Sequence, residues 1–164
     1  MLRGAKVSDC GRYRYALTRR WDAGALDVLF VMLNPSTADG LRDDPTVRKC
    51  MGFARKWAFG GIRIANLFAL RATEPRELHL AIRRGFDAVG PLNLEHVRAL
   101  AENTSRVVLA WGAHARGYPD AVARVVAALD RGPLCCLGTT DDGLPRHPLM
   151  LPYSTPLEPF KGIF

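Results

Sequence analysis

The side chains of this sequence that could do chemistry fall in four short stretches. They are Asn34-Pro35-Ser36-Thr37 with Asp39, Asp43 and Asp44; Asn66 with Arg71 and Thr73; Trp111-Gly112-Ala113-His114; and Thr139 to His147-Pro148. Each begins at the end of an apolar run. Amides, carboxylates, hydroxyls and imidazoles are the groups that orient a ligand and move protons. Ligands of open α/β sheets bind outside the carboxyl ends of the strands, so four parallel strands would bring these stretches onto one rim.

Several familiar chemistries lack their signatures. Ser36 is not in a Gly-x-Ser-x-Gly elbow, no Gly-rich loop leads into Lys-Ser/Thr, and no Gly-x-Gly-x-x-Gly opens the first helix. Cys10, Cys50, Cys135 and Cys136 form no pair of Cys-x-x-Cys knuckles, so no metal and no cofactor is expected and the thiols read as reduced and mostly buried. His96 in a helical stretch reads as a packed or surface histidine, and Asp141-Asp142 as turn residues.

The elements that must position the rim are legible in the pattern. Ala25 to Leu33 is a nearly continuous apolar run, as in a strand covered on both faces, and it stops at Asn34-Pro35. Ile62 to Leu67, Arg106 to Trp111 and Leu134 to Leu137 predict three more strands. Arg12 to Trp21 alternates aromatic or apolar with basic residues, which predicts a half-exposed strand at a sheet edge. Asp44 as N-cap and Pro45 at the first position open a helix with Val47, Cys50, Met51, Ala54 and Trp57 on one face, stopped by Gly60-Gly61. Arg76 to Arg83, Leu92 to Asn103 and Tyr118 to Leu129 predict further helices.

Strands alternating with helices over short connections predict an α/β fold. The expected form is a three-layer α/β/α sandwich around a central, mainly parallel four-stranded sheet, plus an N-terminal edge strand. A single domain spans residues 1–164, with a basic edge segment over 1–24 and a loop or tail over 139–164.

A chain of 164 residues, 48% hydrophobic and 24% charged, can bury a core of its own. Its best apolar run, residues 26–33, falls well short of the roughly 20 residues that span a bilayer, and no apolar block follows the basic start. The expectation is a cytoplasmic protein with no membrane contact. The net charge of +7 is uneven: residues 1–24 hold six basic and two acidic side chains, and residues 41–63 hold the same numbers. Two basic blocks on a near-neutral background suggest an anionic partner, nucleic acid first among them, although a solvated basic face has the same composition.

Read as motifs, the rim stretches resemble the uracil-DNA glycosylase superfamily. Leu33-Asn34-Pro35-Ser36 resembles the water-activating Asn-Pro motif of the mismatch-type enzymes, Val108 to Ala115 resembles the Leu-Leu-Trp-Gly-Ser-His-Ala segment of the uracil-specific branch, and Arg146 to Leu151 is similar to that branch's His-Pro-Ser-Pro-Leu. Asn66-Leu67-Phe68 falls where those enzymes place a base-reading asparagine. Closer still is an uncharacterised bacterial domain family marked by Leu-Asn-Pro-Ser-Thr-Ala, Asp-Asp-Pro-Thr, Asn-Leu-Phe-Ala-Leu-Arg-Ala-Thr, Ala-Trp-Gly and Pro-Arg-His-Pro-Leu, all present here.

The resemblance implies hydrolysis of an N-glycosidic bond in nucleic acid, DNA ahead of RNA. Asn34 would orient the water and His147 would donate to the departing base, while Asn66 reads the base edge. Leu151 would be the apolar wedge that replaces a flipped nucleotide, and Phe68 or Trp57 would stack on the base. Ser36, Thr37, Arg71 and His114 are candidate phosphate contacts. Asp43-Asp44 either caps a helix or supplies Asp43 as a general base. Ser36 stands where the repair enzymes carry glycine, and Leu149 where they carry serine. Two alternatives stay open: a non-catalytic module that binds nucleic acid or a modified nucleotide, and an enzyme of free nucleosides or nucleotides. No obligate protein partner is inferred, and a monomer is compatible with all three.

Overall fold

The computed structural model describes residues 1–102, 104–129 and 132–162. Its strands are β1 (Leu2–Val7), β2 (Arg14–Arg20), β3 (Asp27–Met32), β4 (Gly61–Asn66), β5 (Arg106–Leu109), β6 (Leu134–Cys136) and β7 (Glu158–Pro159). Every residue of β3 is buried, and the strand shows why. Leu29 and Val31 point into one core and Val28, Phe30 and Met32 into another, the period of two expected of a pleated strand covered on both faces. The same division runs through β5, with Val107 and Leu109 on the first side and Val108 on the second.

All seven strands form one mixed sheet in the order β1-β2-β4-β3-β5-β6-β7. β4, β3, β5 and β6 pair in parallel, in register from Asp27 opposite Gly61 to Met32 opposite Asn66. β1, β2 and β7 join antiparallel at the flanks. The sheet is therefore larger and more mixed than four strands and an edge. The segment Arg12 to Trp21, expected at the edge, lies one strand inside it, because β1 pairs with its outer side from Leu2 opposite Arg20 onward. β1 escaped the pattern because nearly all of it is exposed or half-exposed, leaving no buried period to read. The expected tail supplies β7 and is otherwise irregular; its last residues, Ile163 and Phe164, lie outside the described residues.

Helices cover both faces. α1 (Pro45–Lys56) buries Val47, Cys50, Met51, Phe53 and Ala54 in the second core, and α2 (Pro75–Arg83), α3 (Asn93–Glu102) and α4 (Pro119–Ala128) pack on the first. Asp44 caps α1 by accepting the Val47 N–H at 2.8 Å, with Pro45 at the first position, as its sequence predicts. The helix ends before Gly60-Gly61: Trp57 is the C-cap and Ala58 turns the chain at φ +61°. Asn103, the expected end of the third helix, lies outside the described residues. Among the described residues no helix is long and apolar enough to cross a membrane.

Candidate functional site

The parallel strands β3 and β5 lead into Leu33-Asn34 and, past Ala110, into Trp111-Gly112. Between these two ends and the N-terminus of α1 lies a cavity of about 580 Å³, within the roughly 300–1,000 Å³ that holds a small-molecule ligand. Its position is the one expected of an α/β sheet. Polar groups reach it from six segments: Arg14 from β2, Asn34, Ser36 and Thr37 after β3, Asp44 and Thr46 at the start of α1, Thr73 after β4, and His114 and His147 from the loops beyond β5 and β6.

Two of these side chains have their hydrogen-bonding sense fixed by backbone. The Asn34 Nδ2 donates to the carbonyls of Pro35 at 3.0 Å and Ala72 at 2.8 Å, so the amide cannot turn over and Oδ1 is left as an acceptor. The Ala72 N–H in turn donates to the Pro35 carbonyl at 2.9 Å, clamping the two loops together. His147 accepts the Leu149 N–H on Nδ1 at 3.3 Å, which places the proton of the neutral ring on Nε2. Burial holds the His147 pKa below its ordinary value, with the Asp44 carboxylate opposing and His114 adding to the depression.

Gly112 is what lets this imidazole approach. It sits at φ +78°, its N–H donates to the Pro145 carbonyl at 2.9 Å, and a Cβ on it would stand 3.0 Å from that of His147. The 147 loop thus closes onto the end of β5 over a bare backbone.

The two aspartates divide their work in a way the sequence leaves open. Asp43 accepts from Arg19 Nε at 2.7 Å and from Arg3 Nη1 at 2.9 Å, and it does not line the cavity. Arg19 is completely buried and also donates to the carbonyls of Gly4, Thr18, Asp39 and Arg42, so Asp43 neutralises a charge locked in the interior. Asp44 both caps α1 and lines the cavity.

Other expected site residues lie elsewhere. Asn66 ends β4 but is 1% exposed and outside the cavity, its Oδ1 without a hydrogen bond in the interior. Phe68 packs edge-on against Tyr118 in the first core at 5.0 Å. Trp57 stacks on Phe53 and Phe30 at the far end of α1, about 15 Å of helix beyond Val47, the last residue of α1 on the cavity wall. Leu151 is buried in the second core; Met150 and Leu149 of that loop are exposed, Leu149 on the cavity wall. Arg71 is exposed, bonded to the Gly11 carbonyl at 3.4 Å and outside the lining. Ser36, Thr37, His114, Asn34 and His147 line the one cavity.

Much of the basic charge is engaged within the protein. Besides the Asp43 pairs, Arg63 and Arg20 meet Asp27 at 3.1 and 3.6 Å, Lys49 lies over the Tyr153 ring, and Arg55 lies over Trp21. Arg14 is the cation that reaches the cavity, and it is the residue sequence reasoning missed. It is 2% exposed; Nη1 donates to the Ala38 carbonyl at 2.6 Å and Nε has no partner. Burial lowers its pKa to about 10, with Asp44 opposing that shift and Arg71 adding to it. The signal was present in the alternation of β2, but with that strand set at an edge its arginines read as solvent-facing. Among the described residues no group of three or more His, Cys, Asp or Glu could hold a metal ion.

Fold and cavity together define a mixed α/β protein with a cavity at the carboxyl ends of its parallel strands, an apolar hollow into which a few polar side chains reach. The chain belongs to the family described as Protein of unknown function (DUF1643), whose model matches residues 14–149. Arg14 and Leu149, the bounds of that match, are also the first and last residues of the cavity lining. Neither the curated proteins nor the solved structures contain a match to the chain.

Proposed function

We propose that this protein is an N-glycosylase-like hydrolase that releases a damaged or modified base from nucleic acid, with the reaction centred on Asn34 and His147. The carrying observation is that a backbone-fixed acceptor, Asn34 Oδ1, and a histidine whose neutral form carries its proton on Nε2 line one cavity. Hydrolysis of an N-glycosidic bond needs this pair: a group that holds water against the sugar carbon and a donor for the base as it leaves with the bonding electrons. Water oxygen bonds to the anomeric carbon, the carbon–nitrogen bond breaks toward the base, and the His147 N–H stabilises the developing anion. Asp44, the carboxylate on the cavity wall, takes the proton that the water gives up; the released base is protonated from solvent.

The sequence resemblance to uracil-DNA glycosylases supports the same reading through Asn34-Pro35, Trp111-Gly112-Ala113-His114 and His147-Pro148. The wedge role passes from Leu151 to Met150, whose side chain is 88% exposed beside the cavity loop. The test is a panel of single- and double-stranded oligonucleotides bearing uracil, hypoxanthine, xanthine or alkylated bases, assayed for abasic product. Wild type is expected to form it on at least one substrate and Asn34→Ala to lose about 100-fold or more. Absence of product across the panel overturns the reading for DNA. Saturable binding without turnover would favour the binding module, which the non-glycine Ser36 on the cavity wall supports.

A further inference from the structure

Arg14 is a charged group with more hydrogen-bonding capacity than the protein uses. It is 2% exposed, its Nε lacks a partner, and among the described residues it forms no ion pair within 4.0 Å. An uncompensated buried cation is costly, and a fold retains one where something else completes it. The carboxylate with the largest effect on it, Asp44, stands beyond ion-pair distance and gives its Oδ1 to the cap of α1. The guanidinium lies on the wall of the cavity, beside the positive end of a twelve-residue helix and the hydroxyls of Ser36 and Thr46. The cavity volume of about 580 Å³ compares with roughly 30 Å³ for one water, leaving room for more than a planar base.

Resting on the glycosidic reading of the same site, we propose that Arg14 is its anion anchor, and that the ligand carries a phosphate group into the cavity along with its base. Guanidinium is the side chain whose fixed fork of donors matches phosphate oxygens, and desolvation strengthens such charge-assisted bonds. The phosphate belongs either to a free 5′-mononucleotide or to the phosphodiester flanking an extruded nucleotide. Both present the same oxyanion to Arg14.

The experiment compares binding of 2′-deoxyuridine, its 5′-monophosphate and inorganic phosphate by calorimetry, alongside kinetics on the oligonucleotide panel. If the anchor serves a mononucleotide, wild type binds the monophosphate about tenfold or more tighter than the nucleoside, and inorganic phosphate competes. Arg14→Gln then removes that preference while leaving nucleoside binding intact. If it serves a polymer, the small molecules bind weakly, and Arg14→Gln raises KM on a cleaved oligonucleotide and flattens its salt dependence. Equal binding of nucleoside and monophosphate without phosphate competition, together with unchanged oligonucleotide kinetics, overturns the anchor and leaves the glycosidic reading standing. Should Arg14→Gln fail to fold, Arg14→Lys, which keeps the charge and loses the fork of donors, takes its place: a lost monophosphate preference or a raised KM on a cleaved oligonucleotide sustains the anchor, and no change in either rejects it. Phosphate competition with no base release on any substrate separates the anchor from the glycosidic reading.

Discussion

In the proposed reaction His147 acts in its neutral form. Its depressed pKa means that protonation is harder in the folded protein than in the unfolded chain, where the ordinary value is 6.5. Its contribution to stability is therefore intact above pH 6.5 and is lost as pH falls below it, where the unfolded chain takes up the proton first. Base release should hold its rate down through pH 6.5 and decline only below it, and His147→Gln should remove that acid limb; a pH–rate profile reads both. The aspartates are separable in the same way. Asp44→Asn keeps a good N-cap but removes the carboxylate, so melting temperature should move little while base release falls about 100-fold. Asp43→Asn should do the reverse, costing about 3 kcal/mol in denaturant unfolding because Arg19 loses its buried counter-charge, with activity per folded molecule retained.

At the scale of elements, the site depends on how closely loops approach strand ends. Gly112→Ala would place a methyl against His147 and force a side chain into a left-handed backbone, a cost of about 1–3 kcal/mol. Its larger effect should be on activity, since the 147 loop can relieve the clash only by withdrawing the imidazole. Crystallography or ring-proton shifts of His147 would show the displacement, and an unmoved ring with full activity would contradict it. β2 shows the complementary lesson. Arg14 and Arg19 belong to a stretch that reads as a half-exposed edge strand, yet β1 and β4 pair with β2 on either side and both arginines are interior.

Across the whole molecule the two ends of the sheet carry different tasks. The carboxyl ends of β3 and β5 hold the cavity, while Asp27, at the opposite end of β3, gathers Arg20 and Arg63. Trp57 belongs to a third region, the aromatic cluster at the end of α1. Trp57→Ala should therefore cost on the order of 3 kcal/mol in stability and leave base release per folded molecule unchanged, against a stacking role on the base. Ion pairs and ring contacts fix where several cations of the two basic blocks sit without lowering the net charge of +7, which already counts the aspartates.

What the sequence determined by itself were the features set by local rules. The four central strands, the four helices, the Asp44 cap and the rim residues Asn34, His114 and His147 follow from periodicity, capping chemistry and the stops after apolar runs. Tertiary structure decided which neighbour of a pair faces the cavity. Asp43 and Asp44 are adjacent and chemically identical, and only the position of Arg19 across the fold separates a structural counter-ion from a carboxylate at the site. Asn66, Phe68 and Leu151 follow strand or motif positions that look like rim, but cores on both faces of the sheet reach past the strand ends and absorb them. Arg14 entered the site because the loop after β3 lies over it and takes its guanidinium on the Ala38 carbonyl, a contact between distant segments that leaves no trace in side-chain pattern.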